Sequence, residues 1–363
     1  MNLFLAGGDP GRAVAVLESL RAPFLQDGVL ERLPDGACLS HPPARVGGVR
    51  YADPEAGVLF AGRPIVWRGD EADGRAPLDP GFYRDGVPEG MDGRFCVVRR
   101  GEVVTDALGA YPVFRSGSWV SNWPAALRRV NGSEQGLDLD AVAGVVGGGW
   151  SLDGDPLWAG IERIAPPGRQ LVPGERPDFI VAARLLVSGL RALADWPGRP
   201  SVVLVTGGRD SRLIAAAAVR AGFGFVARTG GTEDAPDVVG ARAVCTALGV
   251  EHGLLDPHPF GDFLPLWRQM AETLAVTTGG TATLADAAGF PLEPLPGPLE
   301  LWHTGQGGEV ARDYYGSRDL VDAFLTRHPA RPTLLNAAGE AFVRGLIGEE
   351  TDAVANMANA AGL

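Results

Sequence analysis

Lysine is absent from this chain: all 32 of its basic side chains are arginine. Strong GC bias in a coding sequence produces such a preference without any functional cause. The chemical consequence stands regardless, because no lysine ammonium is available and a G-x-x-x-x-G-K phosphate loop cannot be written. Cysteine is scarce, with Cys38, Cys96 and Cys245 far apart and no C-x-x-C pair, which argues against a disulfide framework or a zinc site. Positive charge is short too, 32 basic residues against 44 acidic ones for a net charge of −12. Such a surface repels polyanions, so nucleic acid is not an expected partner. No apolar run approaches the roughly 20 residues that cross a bilayer. Met1–Leu5 leads at once into Gly7, Gly8, Asp9 and Pro10, unlike a secretory leader. No membrane partner is expected, and the location read from these features is cytoplasmic.

What is present suits a folded chain of two domains. Its 363 residues exceed one typical core, and a hydrophobic content of 45% excludes a largely disordered chain. From about residue 45 to 125 short β-prone runs alternate with turns: Val58–Ala61, Pro64–Trp67, Arg94–Arg99, Glu102–Asp106, Pro112–Arg115 and Ser118–Val120. Gly101 marks a tight hairpin, and the pattern predicts a layered antiparallel sheet or sandwich. Ala13–Leu20 is the one early helix, which makes this half α+β.

After the Gly/Asp/Glu-rich stretch 131–140 the rhythm changes. Phe179–Leu193 reads as a helix, Ser201–Thr206 as an apolar strand buried on both faces, Ser211–Ala221 as a helix closed by Gly222, and Phe223–Ala227 as the next strand. Asp234–Leu248 carries Val238, Ala241, Val244, Cys245 and Leu248 at helical spacing and ends at Gly249. Alternation of this kind predicts an α/β unit with a parallel sheet. The expected division is residues 1–132, a connection over 133–175, and a second domain over 176–363.

Between the strand Ser201–Thr206 and the following helix lies Thr206-Gly207-Gly208-Arg209-Asp210-Ser211. Ligands of open parallel sheets bind at the carboxyl ends of strands. Two glycines bring backbone N–H groups close to a ligand, and a helix N-terminus behind them favours an anion, phosphate above all. Thr206 and Ser211 add hydroxyls, Arg209 or Arg212 adds charge, and Asp210 is placed to hold Mg²⁺. The structural alternative is a plain strand-to-helix turn with Asp210 as N-cap.

This loop resembles the S-G-G-x-D-S pyrophosphate loop of the asparagine-synthetase superfamily, with Thr206 for the first Ser. Thr229-Gly230-Gly231-Thr232-Glu233-Asp234, with Asp237, Ala241, Ala243, Leu248-Gly249 and His252, is similar to the family's next strand and helix. Thr304-Gly305-Gln306-Gly307-Gly308-Glu309 resembles its G-x-G-S-D loop, with Glu309 where Asp is usual, and Tyr314-Tyr315-Gly316 continues the match. In the first half, Gly93-Arg94-Phe95 and the run from Thr105 to Phe114 look like the core hairpin of a class II glutamine amidotransferase domain. Segments from Leu137 to Asp140, Gly160-Ile161 and Pro166-Pro167-Gly168 resemble the interdomain connection, so the likeness spans most of residues 50–316.

The resemblance implies an N-terminal layered antiparallel-sheet domain of Ntn-hydrolase type and an ATP-pyrophosphatase domain of adenine-nucleotide α-hydrolase type. It implies ATP and Mg²⁺, with Thr206, Gly207, Gly208, Arg209, Ser211, Thr229 and Gly230 binding nucleotide, and Asp210 and Glu309 holding metal. Tyr314 joins Asp210 and Glu309 as a catalytic candidate facing substrate, with aromatic packing as the alternative. His252, His258 and His303 read as structural, His303 being the nearest to the Glu309 loop. The family's glutaminase nucleophile is an N-terminal cysteine, whereas this chain opens Met1-Asn2-Leu3 and lacks a glutamine-binding Asn-Gly near Phe60–Val66. Cys96 sits among alternating neighbours as a core residue, so the first domain is expected to be structural. Glutaminase-inactive relatives such as β-lactam synthetases and lasso-peptide macrolactam synthetases share that departure. They imply a carboxylate activated as its adenylate and attacked by an amine of the same molecule. The family's C-terminal lysine has no counterpart here. An arginine such as Arg344 in its place, a partner polypeptide supplying the C-terminal region, and an incomplete, nucleotide-binding relative stay open as readings.

Overall fold

The structure is a computed structural model and describes residues 2–21, 25–132, 136–142, 156–166, 178–255 and 299–305. The chain begins in a central strand, β1 (Asn2–Ala6), all five residues of which are buried. Successive side chains of a strand point to opposite faces. Leu3 and Leu5 therefore enter one core, while Phe4 and Ala6 enter another. The antiparallel partner β3 (Gly36–Ser40) divides in the same way, with Ala37 and Leu39 on one side and Cys38 on the other. With β2 (Val29–Leu33), β9 (Phe114–Ser116), β10 (Trp119–Ser121) and β11 (Glu162–Arg163) they form a six-stranded sheet in the order β11-β9-β10-β1-β3-β2. The stretch anticipated as a connection thus contributes a strand to this sheet.

Two helices cover the outer face. In α1 (Pro10–Ser19) Pro10 stands in the first turn and the Asp9 carboxylate accepts the Arg12 N–H at 2.7 Å, satisfying one of the helix's open donors. Ala13, Val16 and Leu17 of α1 and Ala126, Leu127 and Val130 of α2 (Pro124–Asn131) pack on Leu3, Leu5, Leu39 and Trp119.

Against the inner face lies a second antiparallel sheet of β4 (Ala52–Asp53), β5 (Val58–Arg68), β6 (Glu71–Asp73), β7 (Met91–Arg99) and β8 (Glu102–Thr105). Phe60, Phe95, Tyr51 and Tyr83 fill the space between the sheets with Phe4. The two runs expected on either side of Gly62 are one strand, pairing with β7 from Val58↔Arg99 to Val66↔Met91. Gly62, at φ +85°, lets the chain pass against the Arg94 carbonyl, where a side chain would overlap it. The β7–β8 turn is made by Arg100 and Gly101, both at positive φ, a two-residue hairpin of primed type.

The second unit is the parallel sheet that alternation predicts. Its strands β12 (Ser201–Leu204), β13 (Phe225–Gly230), β14 (His252–Leu255) and β15 (Leu301–His303) lie in the order β14-β13-β12-β15. Helices α3 (Phe179–Ala194), α4 (Arg209–Ala221) and α5 (Pro236–Leu248) accompany it, α4 and α5 ending on left-handed Gly222 and Gly249. Val203, Val205, Ala215, Ala218, Ala227, Ala241 and Cys245 form its core.

The two units meet at the C-terminus of α3. The Arg63 guanidinium of β5 donates to the carbonyls of Ala192 at 2.6 Å and Leu193 at 3.0 Å, and to Gly74 O at 2.9 Å. Arg63 and Arg199 each lie 4.8 Å from the Trp196 ring, and Trp196 Nε1 donates to Val46 O at 2.9 Å. The architecture is mixed α/β, two antiparallel sheets and one parallel sheet. Among the described residues no helix is long and apolar enough to cross a membrane.

Candidate functional site

Thr206–Ser211, Thr229 and Gly230, the described candidates, lie at the carboxyl edge of the parallel sheet. β12 ends at Leu204, and α4 starts at Arg209 with Gly208 as its N-cap. Asp210 therefore stands inside the first helical turn, and it is not the cap that the structural alternative required. Gly208 carries no side chain to cap the helix, and the partial positive end of α4 stands at the loop.

Both loop glycines are exposed, and neither has a positive φ. A Cβ on Gly207 would meet only ordinary contacts, Gly240 Cα at 3.7 Å and Asp237 Oδ1 at 4.0 Å; on Gly208 it would lie 3.1 Å from Thr206 Oγ1. No left-handed turn therefore calls for glycine at either position. At Gly207 neither dihedral angle nor packing demands the missing side chain, which leaves approach by an outside group as its physical use.

The hydroxyls brace the loop. Ser211 Oγ accepts the Thr206 N–H at 3.0 Å and lies 3.0 Å from Thr206 Oγ1, which accepts the Gly208 N–H at 3.0 Å. Ser211 is buried and Thr206 half-buried, so these side chains hold the shape from which the backbone amides project. Arg209 is exposed beside them, while Arg212 Nε turns back to the Gly208 carbonyl at 3.2 Å.

The motif that begins at Thr304 reaches the same place from a hundred residues away. β15 pairs directly with β12, so the chain leaving His303 emerges beside Thr206. Gly305 sits so close to α4 that a Cβ there would lie 2.7 Å from Ser211 N and 2.8 Å from the Asp210 carbonyl carbon. Glu309 and Tyr314 lie outside the described residues, as does His258. Among the described residues no three His, Cys, Asp or Glu side chains converge as a metal cluster.

Thr229 and Gly230 differ from one another. Thr229 is buried, its Oγ1 donating to the Val205 carbonyl and lying 2.9 Å from His252 Nε2. It ties the ends of β12, β13 and β14 together and presents no free hydroxyl, whereas Gly230 is exposed with open space where a Cβ would stand. Burial, reinforced by the Arg242 charge, lowers the His252 pKa and keeps the ring neutral. His303 is buried with Nε2 3.3 Å from Ser201 Oγ and its ring against Phe223, the structural role anticipated for it. Gly240, inside α5, was not singled out in the sequence although it touches the loop. Its signal was a glycine in a helix interior, where it weakens the helix and calls for a packing reason.

In the first unit no described cysteine is poised as a nucleophile. Cys38 and Cys96 are fully buried; burial pushes the Cys38 thiol up to about 12 and the Cys96 thiol well above its ordinary value. A groove of about 720 Å³ between residues 47–55, residues 75–84 and Pro197 shares no residue with the loop. Its Arg84 pairs with Asp53 at 2.6 Å and its Arg75 with Asp195 at 2.7 Å, so these charges are already answered within the protein.

No protein-family model matches the chain, and a search of curated proteins finds no match either.

Proposed function

We propose that this chain is an ATP-dependent, amide-bond-forming ligase of the asparagine-synthetase type. It would activate a carboxylate as its adenylate, with pyrophosphate leaving, and the acyl carbon would then be attacked by an amine as AMP leaves. The observation that carries this reading is the exposed Gly207-Gly208 pair. It stands at the carboxyl edge of a parallel sheet, before a helix with no side-chain cap, with a side chain missing at Gly207 where the fold itself does not require it. With the Gly208 N–H held by Thr206 Oγ1, the Gly207 amide beside the positive end of α4 is the donor suited to the outer phosphoryl groups of a nucleotide, and it would stabilise charge on pyrophosphate as it departs. ATP enters as substrate, and Mg²⁺ when bound would neutralise phosphate charge. On this reading Asp210 would hold the metal, with Glu309 as the second carboxylate that the resemblance implies. Gly230, open at the end of β13, leaves room beside the loop for the rest of the nucleotide.

On this reading the first unit is a degenerate class II amidotransferase domain of Ntn-hydrolase type, and the second an ATP-pyrophosphatase domain. Two stacked antiparallel sheets holding only buried cysteines support the former; the sheet-edge loop supports the latter. The substrate class is a small molecule or peptide with a free carboxylate. An amine of the same molecule is the favoured nucleophile, giving a lactam or macrolactam.

The test is isotope exchange between pyrophosphate and ATP, stimulated by a candidate carboxylate. Wild-type protein should exchange, and Asp210→Asn should lower the rate by about a hundredfold or more, since metal neutralisation supplies several kcal/mol. The variant should stay folded at the assay temperature, so that the lost exchange reports the site and not the fold. A second reading rests on the absence of lysine: the same loop could hold a nucleotide without turning it over. Nucleotide binding without exchange on any carboxylate, and exchange restored by no partner polypeptide, would favour it.

A further inference from the structure

Gly240 lies in the interior of α5, where glycine is the poorest helix former after proline. Its position explains the choice. A Cβ on Gly240 would lie 2.8 Å from Gly207 Cα, closer than a side-chain carbon stands to backbone, and a tight 3.2 Å from Gly207 N. The helix therefore touches the loop main chain to main chain. We infer that Gly240 is a positioning residue, through which α5 sets where the Gly207 amide projects; this rests on the proposed pyrophosphate role of the loop.

Neither partner can yield cheaply. α5 is anchored behind Gly240 by Val238, Ala241 and Cys245, all buried, with Ala241 and Cys245 in the core beside Val205. The loop is held by the Thr206–Ser211 hydroxyl contacts on either side of Gly207 and is closed from another side by Gly305 against Asp210 and Ser211. A methyl group inserted between them has to displace the loop, and the displaced atoms are the donors meant for phosphate. Val239, the preceding residue, is exposed and has no such neighbour role to play.

The experiment compares wild type, Gly240→Ala and Val239→Ala in three measurements: affinity for ATP with Mg²⁺ by calorimetry, melting temperature without nucleotide, and hydrogen exchange of residues 206–211. Gly240→Ala should bind MgATP at least about tenfold more weakly while staying folded and melting within a few degrees of wild type, since alanine's helix preference offsets part of the cost of displacing the loop. Its loop amides should exchange several-fold faster without nucleotide, and Val239→Ala should match wild type throughout. Unchanged loop exchange and unchanged affinity in Gly240→Ala would overturn the inference, as the helix would then be free to give way. A variant that unfolds, or whose exchange rises through all of α5, makes Gly240 a packing residue and overturns it equally. If wild type itself binds no MgATP, the nucleotide reading fails; the exchange comparison still decides whether Gly240 positions the loop.

Discussion

The first unit fills its interior with large rings, whereas the parallel-sheet unit is packed with valine and alanine. Phe4, Tyr51, Phe60, Tyr83 and Phe95 meet between the two antiparallel sheets, while Val203, Val205, Ala215, Ala218, Ala227 and Ala241 hold the other core. Large rings bury much area each and give stability; small side chains bury less but let helices come near enough for backbone to touch backbone. Among the described residues the unit that carries the loop has the smaller buried cluster, and the other unit carries no poised nucleophile among its described cysteines. The contrast is open to direct measurement. Phe60→Ala should cost about 4 kcal/mol, against about 2 kcal/mol for Val203→Ala, where a smaller group is lost and a smaller cavity is left. Equal losses in urea unfolding would erase the distinction.

The contrast sharpens at the joint between the units. Arg63 belongs to the ring-rich side, yet its donors close the open carbonyl end of α3 on the other, at Ala192 and Leu193. α3 in turn sends Arg191 Nε to the Ala221 carbonyl at the C-terminus of α4, 2.9 Å away. Each arginine answers the negative end of the next helix, and the last of those helices begins at the loop. Arg63→Met keeps the apolar stem but takes the guanidinium donors from the Leu193 carbonyl and leaves the buried Ala192 carbonyl with only the Asp195 N–H at 3.3 Å. It should therefore cost about 3 kcal/mol, near the value for a lost charge-assisted hydrogen bond and an unsatisfied partner. Hydrogen exchange should rise first in the last turns of α3; a rise confined to β5 would show that the cap stabilises only its own side.

The two regions were also unequally legible in the sequence. α5 could be read from Val238, Ala241, Cys245 and Leu248, because a helix with one buried face writes its period into the chain, and Gly249 at φ +68° marked its end. β1 could not, because Asn2–Ala6 is buried on both faces and a strand with no solvent face has no alternation to show. β15, three residues long, was too short to leave a pattern. Gly62 and Pro64 read as breaks although β5 runs through them, since the close approach to Arg94 that selects glycine is invisible without its partner strand. The loop itself was legible, as its glycines fall between an apolar strand and a helix. What brings Gly240 and Gly305 against it was not, because both contacts depend on the parallel sheet already being assembled.

Each unit buries a histidine, and acid separates them by a smaller but distinct effect. His41 follows β3, is 4% exposed, and its Nδ1 has no hydrogen-bond partner among the described residues. Burial is the main cause that lowers its pKa to about 3; the charges of Arg45 and Arg199 push the same way, and Asp27 opposes them. His303 in the second unit is also shifted down, by burial first and then by Arg63, but its ring has Ser201 as a partner. In both cases the folded protein holds a neutral ring, whereas the unfolded chain takes up a proton near pH 6.5. Below that value the unfolded state binds protons that the folded state refuses. Stability is therefore present in full above about pH 6.5 and declines as the pH falls toward the folded value. Between pH 6.5 and 4.5 most carboxylates stay ionised, so the slope of urea stability there reports the histidines. His41→Gln should flatten that slope, and His303→Gln should flatten it less, because an unpartnered buried nitrogen leaves no local group to share the charge. A steeper contribution from His303 would place the acid-sensitive joint in the parallel-sheet unit and reverse the assignment.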